Sequence, residues 1–373
     1  MTSQTQVNSN QPQTVANEIP DRKWWKEAVV YQIYPRSFKD SDGDGIGDLK
    51  GITSKLDYVK SLGIDVVWLN PIFASPNDDN GYDISDYEAI MKDFGTMEDF
   101  DELLKGMHDR KIKMVLDLVA NHSSDEHRWF QESRKSRDNP YRNYYHWWDE
   151  EKGKPNKRVS FFDVNGDAWK YDEQTKSYYL HYFSQKQPDL NWENPKVREE
   201  MYKMMRFWFD KGVDGFRMDV IPFISKDTNF PPIPDEFKDN WGAFYSHGPH
   251  RHEYLQEMNR EALSKYDVMS VGEAGVPSEE ALDYVDPARK ELNMFYHFEG
   301  VGLGYLPNSK KIIDPKGWSL IDFKNVYSKW DAVFAEKGWG TIYLGNHDQP
   351  RMVTRWGNDA PEFRELSSKM LTT

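Results

Sequence analysis

The stretch DGFRMDVIPF, residues 214–223, places two charged side chains inside an otherwise apolar run. A short apolar run that ends at a proline is typical of a buried strand. Arg217 and Asp219 are two positions apart, so they share one face of this strand, and Phe216 and Met218 occupy the other. Because buried charges are costly unless they are paired and used, this strand predicts a functional site.

Similar apolar runs recur along the chain and alternate with helical patterns. The other runs are VVYQIYP (29–35), IDVVWLNP (64–71), KMVLDLVANH (113–122), YDVMSVGEA (266–274), ELNMFYHF (291–298) and GTIYLGNHD (340–348). Between them, MEDFDELLKGMHDRK (97–111) and NPKVREEMYKMMRFWFDKG (194–212) have the apolar spacing of amphipathic helices. Strands alternating with helices, without the glycine fingerprint of a dinucleotide-binding fold, predict an α/β fold of the (β/α)8 TIM-barrel class.

The segment between the third and fourth predicted strands is too long for one crossover helix. Residues 121–190 are rich in aromatic and turn residues, which predicts an inserted subdomain of short strands above the barrel mouth. The barrel then comprises residues 23–120 and 191–373, and the polar residues 1–22 are expected to form a flexible leader. Since an open barrel would expose an unpaired strand edge, we expect that the chain is truncated before the eighth strand.

The composition argues against several classes of function. With 48 Lys and Arg against 62 Asp and Glu, the net charge is −14, and an acidic protein repels phosphate backbones, so nucleic acid is not an expected partner. The absence of cysteine excludes a thiolate nucleophile and a cysteine metal site. No apolar run approaches a membrane span, and the first residues lack a secretory pattern. We therefore expect no membrane partner and a cytoplasmic location, with the periplasm as the alternative.

Chemistry in a TIM barrel takes place at the C-terminal ends of the strands, and several predicted strands end in carboxylates. Two neighbouring carboxylates suit glycosidic bond cleavage, where one attacks and the other donates a proton. We expect Arg217 to lower the pKa of Asp219, which then acts as the nucleophile. We expect nearby carboxylates to raise the pKa of Glu273, which then acts as acid and base. Asp348 would hold sugar hydroxyls and favour the charged transition state.

Four segments resemble the signature segments of glycoside hydrolase family 13, the α-amylase family. They are DLVANHS (117–123), GFRMDVI (215–221), VGEA (271–274) and GNHDQPR (345–351). A fifth segment, QPDLNWENP (187–195), resembles the additional segment of its oligo-1,6-glucosidase subgroup. The resemblance implies a retaining mechanism on α-glucosides, and a C-terminal β domain after the eighth strand that we expect this chain to lack. The substrate-binding residues that it implies are Asp83, His122, Gln187, Arg217, Val220, His347 and Arg351.

The loop DSDGDGIGD (40–48) has the carboxylate spacing of the front half of an EF-hand, although Gly51 stands where the closing glutamate is expected. Related family members carry a structural ion at a similar loop. We predict a structural Ca²⁺ there, and the alternative is an acidic turn without an ion. The predicted ligands are Asp40, Asp42, Asp44, the Ile46 carbonyl and Asp48.

The residue after the nucleophile, Val220, bears on the linkage that is cleaved. Valine at this position resembles enzymes that cleave α-1,6 bonds, whereas threonine resembles α-1,4 maltases. The sequence therefore favours an exo-acting α-glucosidase on short oligosaccharides such as isomaltose, with an α-1,4 maltase and a sucrose isomerase or transglucosidase as alternatives. The loop rich in Arg and Asp that sucrose isomerases carry is not visible, which favours hydrolysis. A non-catalytic, transporter-associated barrel would be expected to lack the carboxylates and to carry a membrane span.

Overall fold

The computed structural model describes residues 23–306, 313–314, 317–335 and 337–373, so the predicted leader lies outside the described residues. The strands are β1 Val30–Ile33, β2 Val66–Leu69, β3 Phe73–Ala74, β4 Asp86–Ile90, β5 Lys113–Val119, β6 Trp147–Asp149, β7 Trp169–Asp172, β8 Ser177–Leu180, β9 Gly215–Asp219, β10 Met269–Glu273 and β11 Met294–Tyr296. The α-helices are α1 Pro35–Phe38, α2 Leu49–Thr53, α3 Leu56–Ser61, α4 Met97–Asp109, α5 Arg128–Ser133, α6 Pro195–Lys211, α7 Trp241–Tyr245, α8 Arg251–Glu261, α9 Ala281–Val285, α10 Glu299–Gly302, α11 Leu320–Phe334, α12 Met352–Trp356 and α13 Pro361–Thr372.

The central sheet is a curled, all-parallel sheet of six strands in the order β1-β2-β5-β9-β10-β11. These strands coincide with the first six apolar runs of the sequence, and their order follows the chain, as in a TIM barrel. Gly215 begins β9 where a Cβ atom would lie 2.2 Å from the Met269 carbonyl oxygen. The absence of a side chain at this position therefore allows β9 and β10 to approach each other.

The two faces of the sheet differ as the alternation in β9 predicts. Phe216 and Met218 are fully buried on the outer face, within the large core between the sheet and the helices. Arg217 and Asp219 face inward, where a smaller apolar cluster fills the interior of the curled sheet below them. The inner cluster consists of Val66, Trp68, Val115, Met269, Val271, Met294 and Tyr296.

Two of the longest helices have well-capped ends. Helix α4 begins with a reciprocal capping box between Thr96 and Asp99. In α6, the Asn194 side chain accepts from the backbone N–H of Lys196, and Gly212 ends the helix in the left-handed conformation at φ 104°. Within the described part of the chain, no helix is both long and apolar enough to cross a membrane.

Short antiparallel strands lie between β5 and β9, as predicted for the insertion. They form a three-stranded sheet in the order β6-β8-β7. An antiparallel bridge between His122 and Asp189 links the end of β5 to the residues that lead into α6. The insertion is thus anchored at the C-terminal end of the central sheet, above the site, while its division from the barrel at residues 121–190 stays a prediction.

The predicted seventh strand, residues 340–348, is not a strand in the structure. This segment runs beside β11, but its side-chain hydroxyls, rather than its backbone N–H groups, donate hydrogen bonds to carbonyls at and just after β11. Thr341 Oγ1 donates to the Phe295 carbonyl at 3.1 Å, and the Tyr343 hydroxyl donates to the His297 carbonyl at 2.7 Å. The prediction of a regular strand here is therefore wrong, although the segment still brings His347 and Asp348 to the mouth of the sheet.

Candidate active site

Arg217 lies at the centre of the candidate site, on the inner face of β9. Its side chain is 1% exposed, and its two terminal nitrogens contact different carboxylates. Nη1 donates to Asp219 Oδ1 at 2.7 Å, and Nη2 lies 2.8 Å from Glu273 Oε2. The structure therefore brings together, from the ends of β9 and β10, the two carboxylates to which the sequence assigned the chemistry.

The same guanidinium bonds a third carboxylate, that of Asp117 on β5, which the sequence reasoning missed. Arg217 Nη1 donates to Asp117 Oδ1 at 2.7 Å, and Nε donates to the Tyr296 hydroxyl at 2.7 Å. Trp68 Nε1 donates to Asp117 Oδ2 at 2.8 Å. Asp117 carried the same signal as Asp219, a carboxylate within an apolar run, and it pairs directly with Arg217 in the strand register.

Three carboxylates share one guanidinium, and two of them, Asp117 and Asp219, have raised pKa values. Burial raises the pKa of the Asp117 carboxyl to about 6, although Arg217 lowers it. Burial also raises the pKa of the Asp219 carboxyl well above its usual range, against the lowering by Arg217, and Glu273 adds to the rise. The prediction that Arg217 brings the pKa of Asp219 below normal is wrong in its net direction, because the carboxyl is buried and the guanidinium is shared. Burial in this cluster therefore favours the protonated forms of Asp117 and Asp219.

Val220, directly after Asp219, has a strained backbone that reaches the second carboxylate. Its φ of 36° and ψ of 41° are left-handed, which a β-branched residue rarely adopts. The Val220 N–H donates to Glu273 Oε2 at 3.0 Å, the same oxygen that faces Arg217 Nη2. Adjacent residues of one segment thus supply the candidate nucleophile and a bond that orients the candidate acid.

A cavity of about 610 Å³ opens over these carboxylates. Its lining combines acidic groups with aromatic rings such as Phe161, Phe183 and Phe223, which suits a sugar with polar edges and apolar ring faces. The predicted site residues that line it are His122, Asp219, Val220, Glu273, His347 and Asp348. Arg217 lies beneath the cavity and acts through the carboxylates that it holds.

His347 and Asp348 both line the cavity, but they differ in exposure and in their contacts with other side chains. His347 Nδ1 is 3.0 Å from Gln32 Nε2, and His347 Nε2 is 2.9 Å from the Tyr82 hydroxyl, so protein groups engage both ring nitrogens. Burial lowers the pKa of the His347 ring to about 3, which keeps it neutral. Asp348 keeps 53% of its side-chain exposure, and enclosure by the cavity and the charge of Glu273 raise its pKa. Asp348 Oδ1 lies 3.4 Å from His347 Nε2, and its exposed side chain is accessible to a sugar hydroxyl.

The structure places three other predicted substrate residues off the cavity lining. Asp83 is fully buried, and its carboxylate accepts from the backbone N–H groups of Asp78 and Asp79. Gln187 lies behind the wall. Arg351 is exposed at the start of α12 and does not line the cavity. These three side chains therefore do not line the cavity, and direct contacts of Asp83, Gln187 and Arg351 with a sugar stay predictions.

Asp79 lines the cavity instead, and the sequence reasoning missed it. Its Oδ2 accepts from Gln187 Nε2 at 2.8 Å. Burial raises the pKa of the Asp79 carboxyl to about 7, against the bond from Gln187. The sequence offered only its position four residues before Asp83, in an acidic turn where neither the direction of the side chain nor its burial could be inferred.

The predicted metal loop forms in part. Oxygen atoms of Asp40, Asp42 and Asp48 lie within 4.8 Å of one another. The Asp44 carboxylate is not in this group, because it turns back to accept from the Ile46 N–H at 2.7 Å. Bonds from the Gly43 and Gly45 backbone lower the pKa of the Asp40 carboxyl, which keeps it anionic. Three converging carboxylates are the donor type that Ca²⁺ prefers, although the ion takes more oxygens than these supply.

The chain resembles known proteins at the levels of family, sequence and structure. Residues 32–373 match the family described as alpha amylase, catalytic domain. Oligo-1,6-glucosidase from Parageobacillus thermoglucosidasius is 59% identical over 358 residues, which cover 95% of this chain and 63% of that protein. An alpha-glucosidase from Pediococcus pentosaceus is 53% identical over 355 residues, which cover 94% of this chain and 63% of that protein. The chain thus spans about 63% of the length of these curated relatives.

Solved structures at about 50% sequence identity have the same fold. The trehalulose synthase MutB from Pseudomonas mesoacidophila MX-45 superimposes with a TM-score of 0.88 at 50% identity, over 92% of this chain and 61% of that one. A MutB mutant in complex with sucrose gives a TM-score of 0.90 at 50% identity, over 94% of this chain and 63% of that one. At this similarity the curled parallel sheet corresponds to a large part of a complete barrel enzyme.

Proposed function

The chain belongs to the α-amylase family, and from this premise we propose that the protein is a retaining, exo-acting α-glucosidase that hydrolyses terminal α-1,6 bonds in short oligosaccharides. The observation that carries the proposal is the Arg217 guanidinium, which holds Asp219 on one terminal nitrogen and Glu273 on the other at the floor of the cavity. Retention requires two carboxyl groups only about 5–5.5 Å apart, and a shared guanidinium keeps such a pair close.

In the first step, Asp219 attacks the anomeric carbon of the terminal glucose, and the bond from that carbon to the leaving oxygen breaks. Glu273 gives its proton to the leaving oxygen, and a glucosyl ester forms on Asp219. In the second step, Glu273 takes a proton from water, whose oxygen attacks the same carbon and releases glucose and the Asp219 carboxylate. Arg217 remains bonded to both groups, so it offsets the charge that moves between them.

Product analysis tests the proposed activity directly. We expect the protein to release glucose from isomaltose faster than from maltose, and to release free glucose and fructose from sucrose rather than an isomerised disaccharide. Cleavage of maltose without cleavage of isomaltose would overturn the linkage. Formation of isomaltulose or trehalulose as the main product would favour the second candidate, a sucrose isomerase or transglucosidase. The structural similarity to a trehalulose synthase is the observation behind that candidate.

The side chain of Val220 should influence the choice of linkage, because it lines the cavity beside the candidate nucleophile and acid. For Val220→Thr, we expect the ratio of kcat/KM for maltose to that for isomaltose to rise about tenfold, since one pocket contact is worth roughly 1–3 kcal/mol. The matched control is Val29→Thr at an exposed position before β1, which should leave the ratio unchanged. An unchanged ratio in Val220→Thr would remove this residue from the account of specificity.

We further propose a structural Ca²⁺ at the loop of Asp40, Asp42 and Asp48. The support is the convergence of three carboxylates on a loop far along the sequence from the catalytic groups, which indicates a role in stability. The predicted share of Asp44 has no support from the geometry of its side chain, and the predicted share of the Ile46 carbonyl stays a prediction. A cytoplasmic location and the absence of a nucleic-acid partner also stay predictions.

Chelation tests the ion. We expect a divalent-ion chelator to lower the melting temperature by about 2 °C or more, and added Ca²⁺ to restore it, because an ion bound only to the folded state stabilises that state. Asp42→Asn should abolish the response to chelator and Ca²⁺. Asp44→Asn is the matched control and should retain it, since that carboxylate lies outside the group. A melting temperature that ignores the chelator in the unmodified protein would contradict the proposal.

A further inference from the structure

His122 lies between two side-chain amides that both present N–H groups to its ring. Asn121 Nδ2 is 3.1 Å from His122 Nδ1, and Gln187 Nε2 is 3.2 Å from His122 Nε2. All three side chains are buried. A neutral imidazole accepts at one nitrogen only, so one of these two contacts is a hydrogen bond and the other brings two N–H groups together.

The orientation of each amide is fixed by its other partners rather than by His122. Asn121 Oδ1 accepts from the Lys226 ammonium at 2.7 Å, so the Nδ2 group must face the ring. Gln187 Oε1 accepts from the Ser184 N–H at 2.9 Å, and Gln187 Nε2 donates to the Asp79 carboxylate. Turning the Asn121 amide over would lose its bond from the Lys226 ammonium, and turning the Gln187 amide over would lose its bonds with Ser184 and Asp79.

Lys226 decides which amide donates to the ring. Its side chain is 1% exposed, and its Nζ is held by the Phe223 carbonyl at 2.6 Å and lies 3.3 Å from Asp189 Oδ2. An ammonium at the oxygen of the Asn121 amide makes the N–H groups of that amide stronger donors, because hydrogen bonds in series polarise one another. The oxygen of the Gln187 amide accepts from the uncharged Ser184 N–H instead, which polarises that amide less. Burial lowers the pKa of His122 to about 3, so the ring is neutral and carries its single proton on either Nδ1 or Nε2.

We propose that Lys226, acting through Asn121, holds His122 in the tautomer that carries its proton on Nε2. Nδ1 then accepts from Asn121, and Nε2–H points to the side of Gln187 and Asp79, where the cavity lies. The Nε2–H is then the ring group that can donate to a ligand oxygen in the cavity that His122 lines. Lys226 and Asn121 are thus positioning residues that do not touch the sugar themselves.

The inference rests on the proposed function only for the identity of the ligand, a sugar. The tautomer itself is a property of the protein without substrate. It is measured by ¹⁵N NMR of the protein labelled at histidine, without substrate, with His122 assigned by its loss in His122→Gln. We expect the Nδ1 shift of a nitrogen with a lone pair and the Nε2 shift of a protonated nitrogen. A proton on Nδ1 in the unmodified protein would overturn the proposal, whether or not any variant folds.

Two isosteric substitutions then test the direction of control, because each puts one carboxylate on one side of the ring. Asn121→Asp offers an acceptor to Nδ1, so we expect a proton to appear on Nδ1 and kcat/KM for isomaltose to fall by about tenfold to a hundredfold, the worth of one buried hydrogen bond. Gln187→Glu, the matched control, offers an acceptor to Nε2 and should leave the proton there. Retention of a bare Nδ1 in folded Asn121→Asp would contradict the proposal. If isomaltose is not a substrate but the tautomer is found, only the proposed function fails.

Discussion

Replacement of Asp219 by Asn is expected to lower kcat for isomaltose by at least about 10⁴-fold, because an amide cannot form the glucosyl ester that divides the reaction into two steps. The same substitution should leave the protein folded and raise its free energy of unfolding by about 1 kcal/mol. The reason is that it removes one of three buried carboxylates that compete for Arg217. Kinetics with isomaltose and urea denaturation measure the two effects on one preparation.

The control for this prediction is Asp331→Asn, the same chemical change at an exposed position on α11. Its kcat and its free energy of unfolding should match those of the unmodified protein within experimental error. Loss of activity together with a large loss of stability in Asp219→Asn would indicate a structural rather than a chemical role for this carboxylate. Activity within tenfold of the unmodified protein would overturn the assignment of the nucleophile.

Replacement of Arg217 by Met is expected to destabilise the protein by about 3–5 kcal/mol at neutral pH, the cost of leaving buried charge without its partner. Asp117, Asp219 and Glu273 would then face one another with no cation between them. The folded-state pKa values of Asp117 and Asp219 would rise further above those of the unfolded chain. The stability that remains is therefore highest at acidic pH, and it is lost as the pH rises through the folded-state values. Urea denaturation between pH 5 and pH 8, as an order-of-magnitude window around the Asp117 pKa of about 6, measures the trend.

Arg260→Met is the matched control, since Arg260 is largely exposed on α8 and contacts only its neighbour Glu261 among the ion pairs of the described residues. It should change the free energy of unfolding by no more than about 0.5 kcal/mol at any pH. If Arg217→Met retained the stability of the unmodified protein at neutral pH, the guanidinium would not be what balances the carboxylate cluster. A loss that did not depend on pH would point to lost packing instead of unpaired charge.

Much of the fold could be predicted because alternation in a strand is a local property. The period of two in DGFRMDVI placed Arg217 and Asp219 on one face and Phe216 and Met218 on the other, and the structure confirms both faces. The same reasoning failed for residues 340–348, whose apolar pattern suits a strand. Whether it forms a ladder depends on what fills the edge of β11, and side chains fill the carbonyls there. A tertiary contact of this kind leaves no mark in the local pattern.

The candidate site shows the same limit in its charges. The sequence places Arg217 beside Asp219, but the number of carboxylates that contact the guanidinium depends on the fold. The net rise in the pKa of Asp219 therefore could not be predicted. Asp117 was accessible to the reasoning and was missed. Asp83 and Arg351 were selected from a motif, whereas a motif fixes the residue type and not the direction of the side chain, and both lie off the cavity lining.

The central claim is that Asp219 becomes glucosylated while Glu273 supplies and removes protons, and trapping the intermediate tests it most directly. In Glu273→Gln, an activated donor such as α-glucosyl fluoride needs no acid for departure, but no base remains to activate water. We expect the intact mass to rise by one glucosyl group and peptide mapping to locate that group on Asp219. Label on Asp117 or Asp348, or hydrolysis of the donor without any labelled protein, would contradict the account.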